Sequence, residues 1–67
     1  MNYFSKDFWE KLYNGRYKTA YSEMYDARVA IVKVRSDRLG EPIIDARVAG
    51  SDTITLFRPW ELKNYVL

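Results

Sequence analysis

Asp7 and Glu10 stand three residues apart, a spacing that puts two carboxylates on one face of a helix. Such a pair does general acid–base work when a cleft splits its pKa values. At a helix start the same two acids are ordinary and solvated, and we read them so. Ser5 beside Lys6 makes no Ser–Lys dyad, because adjacent helix residues point in different directions. Asp37, Glu41 and Asp52 fall in turns, where Asp bonds nearby backbone. They are too sparse for a calcium or magnesium site. The chain has no His and no Cys. That removes the commonest general base, the thiol nucleophile and the usual zinc ligands. Three isolated glycines make no phosphate-binding loop. The chain therefore reads as a non-enzyme with no cofactor, no metal and no small-molecule substrate.

Recognition is the chemistry left over. Tyr3, Phe4, Phe8, Trp9, Tyr13, Tyr17, Tyr21 and Tyr25 crowd the first third of the chain. They are more rings than one small sheet face can cover. Most belong in the core, and the rest form an exposed patch that Arg16, Arg28 and Trp60 can join. Tyr, Trp and Arg dominate the hot spots of protein interfaces. The candidate protein-binding residues are Trp9, Tyr13, Arg16, Tyr17, Tyr21 and Trp60. A second set is Lys33, Arg35, Arg47, Phe57 and Arg58. Cations around an aromatic platform are what single-stranded nucleic-acid binders use. The alternative for this face is an ordinary solvated sheet surface, and Asp45 lowers its potential.

The elements that must carry these side chains follow from periodicity. Phe4, Phe8, Trp9, Leu12 and Tyr13 recur at helical spacing. Ser5 or Asp7 is the natural cap, and Asn14–Gly15 the stop. Asn–Gly is also a hairpin signal, but the stripe favours a helix. Residues 17–25 fit two patterns. Tyr17, Ala20, Tyr21, Met24 and Tyr25 make a helical stripe; Tyr17, Thr19, Tyr21, Glu23 and Tyr25 make a strand alternation. We read a second short helix. Residues 28–36, 43–49 and 53–58 read as strands, with turns at 37–41 and 50–52. Pro59 stops the third strand, and 59–62 make one helical turn with Pro at its first position. Residues 64–67 are a candidate final strand.

Closing the hairpins over those turns pairs Val34 with Ile44, Val32 with Ala46, Ala30 with Val48, Val48 with Ile54 and Ala46 with Leu56. One face is then apolar: Ala30, Val32, Val34, Ile44, Ala46, Val48, Ile54 and Leu56. Slipping one residue would turn that face over. One short repeat is present, Asp-Ala-Arg-Val-Ala at 26–30 and again at 45–49. In this register its copies turn opposite residues inward (Ala30 but Val48), so they share no structural role. Strand, Gly-containing turn, strand, short turn, strand, then Pro59-Trp60-Glu61-Leu62 and a terminal strand make up residues 27–67. That layout resembles the second half of an SH3-like barrel of the Tudor or KOW sort, whose last strands are joined by a one-turn helix. The resemblance implies binding of peptides or nucleic acids through aromatic residues between loops. It is a match of layout alone and carries no individual site residue over.

Sixty-seven residues allow one domain with a small core. Its first part, 1–25, is expected to be aromatic-rich and mainly helical, and 26–67 to be an antiparallel β-meander. With 48% hydrophobic residues and a net charge of +2, the composition is globular and not disordered. The pI near 9.0 is a weak basic signal without like-charge blocks. The longest apolar run, Val29 to Val32, is broken by Lys33, far short of the roughly 20 residues a bilayer demands. Met1 to Lys18 carries internal charges and no small-residue cleavage pattern, so it does not read as a signal peptide.

The expected fold is α+β: one or two N-terminal helices on a three-stranded antiparallel meander. The alternative is an SH3-like small barrel with an N-terminal helix. The expected function is cytoplasmic, non-enzymatic binding of another protein through the aromatic surface. Size and the lack of Cys fit an accessory protein of bacteria or phages. A nucleic-acid-binding module is the alternative, and a structural homo-oligomer, such as a homodimer, is the third reading. No membrane association is expected.

Overall fold

The computed structural model describes residues 4–67, so Tyr3 of the aromatic set lies outside the described residues. Ser5 caps the helix: its Oγ accepts the Phe8 amide at 3.2 Å, which satisfies one of the N–H groups a helix start leaves free. Helix α1 runs over Lys6–Tyr13, with Asp7 in its first turn ion-paired to Lys11. Phe8 and Leu12, four apart on one face, are its buried residues. The stop is the one the sequence signals. Gly15 takes φ +70°, a left-handed turn that side chains resist. It lets the Arg16 amide reach back to the Lys11 carbonyl at 2.9 Å.

Beyond α1 the expected second helix is overturned. Thr19–Ser22 is a strand, β1, burying Ala20 and Ser22 while Thr19 and Tyr21 are only half-covered. It is paired on one side with β2 (Ala27–Ser36) and on the other with β5 (Leu62–Val66). A stripe that fits both periods is decided by its tertiary partners, and here both partners are strands. Among the described residues the first 25 are helical only over 6–13.

Strands β3 (Pro42–Val48) and β4 (Ile54–Phe57) complete the meander, and a 3-10 turn, Pro59–Glu61, leads into β5. Every pairing is antiparallel, in the order β4-β3-β2-β1-β5. The sheet has five strands where a three-stranded meander with a candidate final strand at 64–67 was expected, so β1 is the strand not foreseen. The one-turn helix joins the last two strands, as in the SH3-like layout. Those strands are the outer edges and do not pair with each other, so the sheet is open and the barrel alternative is corrected.

The register holds at the first turn and slips beyond it. Asp37 organises that turn, its Oδ1 accepting the Leu39 and Glu41 amides at 2.9 Å each, and Val34 faces Ile44 as expected. Then a bulge falls between Ile31 and Lys33, which face Ala46 and Asp45. Val32 is the extra residue and is 55% exposed. Past it, Val29 and not Ala30 faces Val48. At the second turn Ile54 faces Arg47 and Leu56 faces Asp45. That exchange turns Ile54 and Leu56 out and Phe57 in. Of the expected apolar face, Ile44 and Ala46 are buried and Val34 and Val48 pack partly against them. Ala30, Val32, Ile54 and Leu56 are exposed. The exchange is favourable because one Phe buries more surface than either aliphatic it replaces. The shift also corrects the reading of the repeat: its two valines are direct cross-strand partners.

A second bulge shapes β5. Thr19 pairs with Val66 and Tyr21 with Lys63, so three steps on β5 answer two on β1. Asn64 sits within that offset at φ +52°, a left-handed conformation that Asn tolerates better than most residues. Strict alternation from the buried Leu62 would turn Tyr65 outward. The bulge brings it to the core side, against Phe8 and Tyr17.

Candidate functional site

Phe8 is the hub of an aromatic layer. Its ring centroid lies 4.8 Å from Phe4, 5.4 Å from Trp9, 5.3 Å from Tyr17 and 4.9 Å from Tyr65. The contacts with Trp9 and Tyr65 are edge-on, at 78° and 79°, the geometry that ring quadrupoles favour. Tyr65 donates its hydroxyl to the Pro59 carbonyl at 2.7 Å, which ties β5 to the 3-10 turn. Burial, and secondarily the Tyr17 hydroxyl, push the Tyr65 hydroxyl above its ordinary range. It therefore stays a protonated donor.

Edge-on rings leave space beside them. A groove of about 630 Å³ runs between the start of α1, the 3-10 turn and β5. Phe4, Phe8, Leu62 and Tyr65 supply its apolar lining, and Glu23, Lys63 and Asn64 its polar part. Glu23 and Lys63 are ion-paired at 3.3 Å. Trp60, also on the groove, is 56% exposed. The 3-10 turn that carries it is fixed at both ends: the Arg58 amide donates to Glu61 Oε1 at 2.6 Å, and the Tyr65 hydroxyl holds Pro59.

The six protein-binding candidates do not form one patch. Trp60 lines the groove, and Tyr17 is half-buried behind it against Phe8 and Tyr65. Trp9 is half-buried and stacks on the exposed Tyr13 at 6.2 Å and 28°. Arg16 is exposed just past α1. Tyr21 is elsewhere, its hydroxyl donating to Asp26 and Lys63 standing 5.6 Å over its ring. The Asp26 bond, then burial and the charges of Asp26 and Glu23, raise the Tyr21 hydroxyl pKa. Leu62 and Tyr65 were missed by the sequence reading. The one signal for Tyr65 was Asn64, a residue type suited to a positive-φ bulge.

The basic set is broken up further. Phe57, expected as an exposed platform, is 3% exposed in the core, with Tyr25 edge-on at 5.9 Å. Arg35 forks onto Asp45 at 2.9 and 3.3 Å. Arg58 pairs with Asp37 at 3.0 Å and donates to the Pro42 carbonyl. The backbone amide of Glu41, and in smaller part that of Leu39 and the Arg58 guanidinium, hold the Asp37 carboxyl below its ordinary range against partial desolvation. Lys33 and Arg47 remain exposed beside Val32, Ile54 and Leu56.

No protein-family model, curated protein or solved structure matches the chain. Among the described residues no three His, Cys, Asp or Glu side chains gather as a metal site, and no helix is long and apolar enough to cross a membrane.

Proposed function

We propose that the chain is a non-enzymatic binding module that takes a segment of another protein into the groove between α1 and β5. The observation that supports this most is Trp60. A large ring more than half exposed on a doubly anchored turn loses little conformational freedom when a partner covers it. Such residues carry a disproportionate share of interface energy. The apolar lining under it suits an aliphatic or aromatic side chain of the partner, and the Glu23–Lys63 pair gives the groove a polar boundary. This is the layout of a hydrophobic centre with a polar rim.

The nucleic-acid reading is the weaker of the two, because its aromatic platform is buried and two of its cations already hold carboxylates or carbonyls. The test is a selection of displayed random peptides on the immobilised protein, followed by titration of the winners. Binding through the groove predicts peptides with one large apolar anchor, a change in Trp60 emission on binding, and at least a ten-fold loss of affinity in Trp60→Ala. Peptides that bind Trp60→Ala as tightly as the natural chain would refute the assignment.

A further inference from the structure

The repeat has a role that the groove does not absorb. Its two copies, 26–30 and 45–49, lie side by side on antiparallel strands. Val29 faces Val48, Ala30 faces Arg47, and the Ala49 amide bonds the Arg28 carbonyl at 2.9 Å. Each arginine thus stands opposite an alanine of the other copy, about a local two-fold at the valine pair. The valines turn toward the core and both arginines are exposed. Arg28 and Arg47 are diagonal neighbours, with backbones roughly 7–8 Å apart. The residues facing them are alanines, so the sheet surface between the two arginine positions is low. A cleft of about 210 Å³ opens there, with Thr19 and Arg28 on one side and Arg47, Gly50 and Ser51 on the other.

The cleft's own surface is mostly apolar, and the charges of the two arginines that border it are not neutralised by a carboxylate among the described residues. The carboxylates of the two repeats are occupied elsewhere: Asp26 accepts from Tyr21, and Asp45 from Arg35. Arg28 donates to a neutral group, Thr19 Oγ1, at 3.0 Å, which fixes its direction. Neither Arg28 nor Arg47 is in an ion pair among the described residues. The Ser51 Oγ accepts the Thr53 amide at 3.1 Å, which leaves its proton to donate.

We infer that Arg28 and Arg47 form a receptor for a single phosphate group. Guanidinium forks match the edges of a phosphate. A tetrahedral phosphate has edges enough to engage two such forks at once. The cleft is below the volume of sites for drug-sized ligands, and a lone phosphate with the first atoms of its ester fills it. The source is a free phosphate or a phosphate monoester, and not the phosphodiester of a nucleic-acid backbone. This assignment is independent of the Trp60 groove.

The test is an amide-resolved NMR titration of the full chain with sodium phosphate, against sodium chloride at matched ionic strength. Saturable shifts are expected at Ala30, Ala49, Gly50 and Ser51. Affinity falls at least ten-fold in Arg28→Gln and in Arg47→Gln, and by less in the Lys variants, which keep charge and lose the fork. Unmoved core amides show that each variant is folded. Shifts that merely track the chloride control, or that survive the double Gln substitution, overturn the site. A nucleoside monophosphate and a single-stranded oligonucleotide separate the monoester from the phosphodiester. Saturation by the monophosphate at the same amides supports the receptor. Saturation by the oligonucleotide alone overturns it in favour of a backbone-tracking surface.

Discussion

In β2 the bulge expels an apolar residue; in β5 it recruits one. Val32 leaves the ladder and the pairing behind it moves by one place, so Val29 and Ile31 turn toward the core where Ala30 and Val32 were expected. Asn64 adds a step to β5, and Tyr65 swings from the outer face to the ring layer. The two irregularities have one effect on the core. Each places a larger apolar side chain where strict alternation would have placed a smaller or a polar one: Val29 and Ile31 for Ala30 and Val32, and Tyr65 for Asn64. A chain of 67 residues can bury only a modest share of its surface. Filling that core with few large rings over small floor residues, such as Ala20 and Ala46, gives more apolar area per residue. The consequence is an outer face that keeps Val32, Ile54 and Leu56 in solvent.

The largest effect expected in this comparison is at the ring layer's hub. Phe8→Ala removes a side chain that touches four other rings and should cost about 3–5 kcal/mol. A domain of this length holds roughly 3–10 kcal/mol in all. Thermal unfolding should therefore show a variant that is marginal or unfolded at room temperature. A loss under about 1 kcal/mol would mean that the rings are peripheral and the aliphatic sheet alone carries the fold.

Next comes the β5 bulge itself. Asn64→Val puts a β-branched residue at φ +52°, which should cost about 1–2 kcal/mol of left-handed strain. Asn64→Gly should be neutral or slightly stabilising, because Gly takes that conformation without penalty. Chemical denaturation of both variants measures the difference. Equal effects would show that the bulge is incidental to the placement of Tyr65.

Tyr65 offers a subtler probe. Tyr65→Phe keeps the ring and loses the bond to Pro59, at about 0.5–1.5 kcal/mol. Its hydroxyl is held above the ordinary value by burial, so folding favours the protonated form. That stability is fully present below the unfolded pKa, about 10. It is lost as pH rises from there through the folded value. The natural chain should lose stability above about pH 10, and Tyr65→Phe should lose less. Identical alkaline profiles would place the titrating tyrosine elsewhere.

Much of this could be read from residue types. Ser5, Asn14–Gly15, Asp37 with its five-residue turn, and Pro59 each announce a local geometry through their own chemistry, and each stands where its chemistry puts it. The meander followed from alternation. Neither bulge did. Val32 is a good strand residue, and nothing local marks it for expulsion; the bulge exchanges Ala30 and Val32 for the larger Val29 and Ile31 on the core side. Residues 17–25 failed for a related reason, since their partners in β5 lie some 40 positions on. The candidate groove was legible only as an excess of aromatics, because its walls meet across α1, the 3-10 turn and β5. The cleft of Arg28 and Arg47 was hidden by the one-residue register error that separated the two repeats.

The smallest expected effect is at the residue the β2 bulge expelled. Val32→Thr keeps the β-branched shape that suits a strand and trades a methyl for a hydroxyl at a position already 55% exposed. In an isolated chain the change should stay within about 0.5 kcal/mol. Exposed Val32, Ile54 and Leu56 are also the residues a second copy would cover. Coverage would make Val32→Thr costly and would make the thermal midpoint climb with protein concentration. Unfolding curves at micromolar and near-millimolar protein, for both chains, separate the cases. Superimposed curves and a negligible cost would mean that the outer face is what the fold gives up to turn Val29, Ile31 and Phe57 toward the core. A midpoint that climbs for the natural chain and not for the Thr variant would mean that the bulge expels Val32 toward a partner of its own kind.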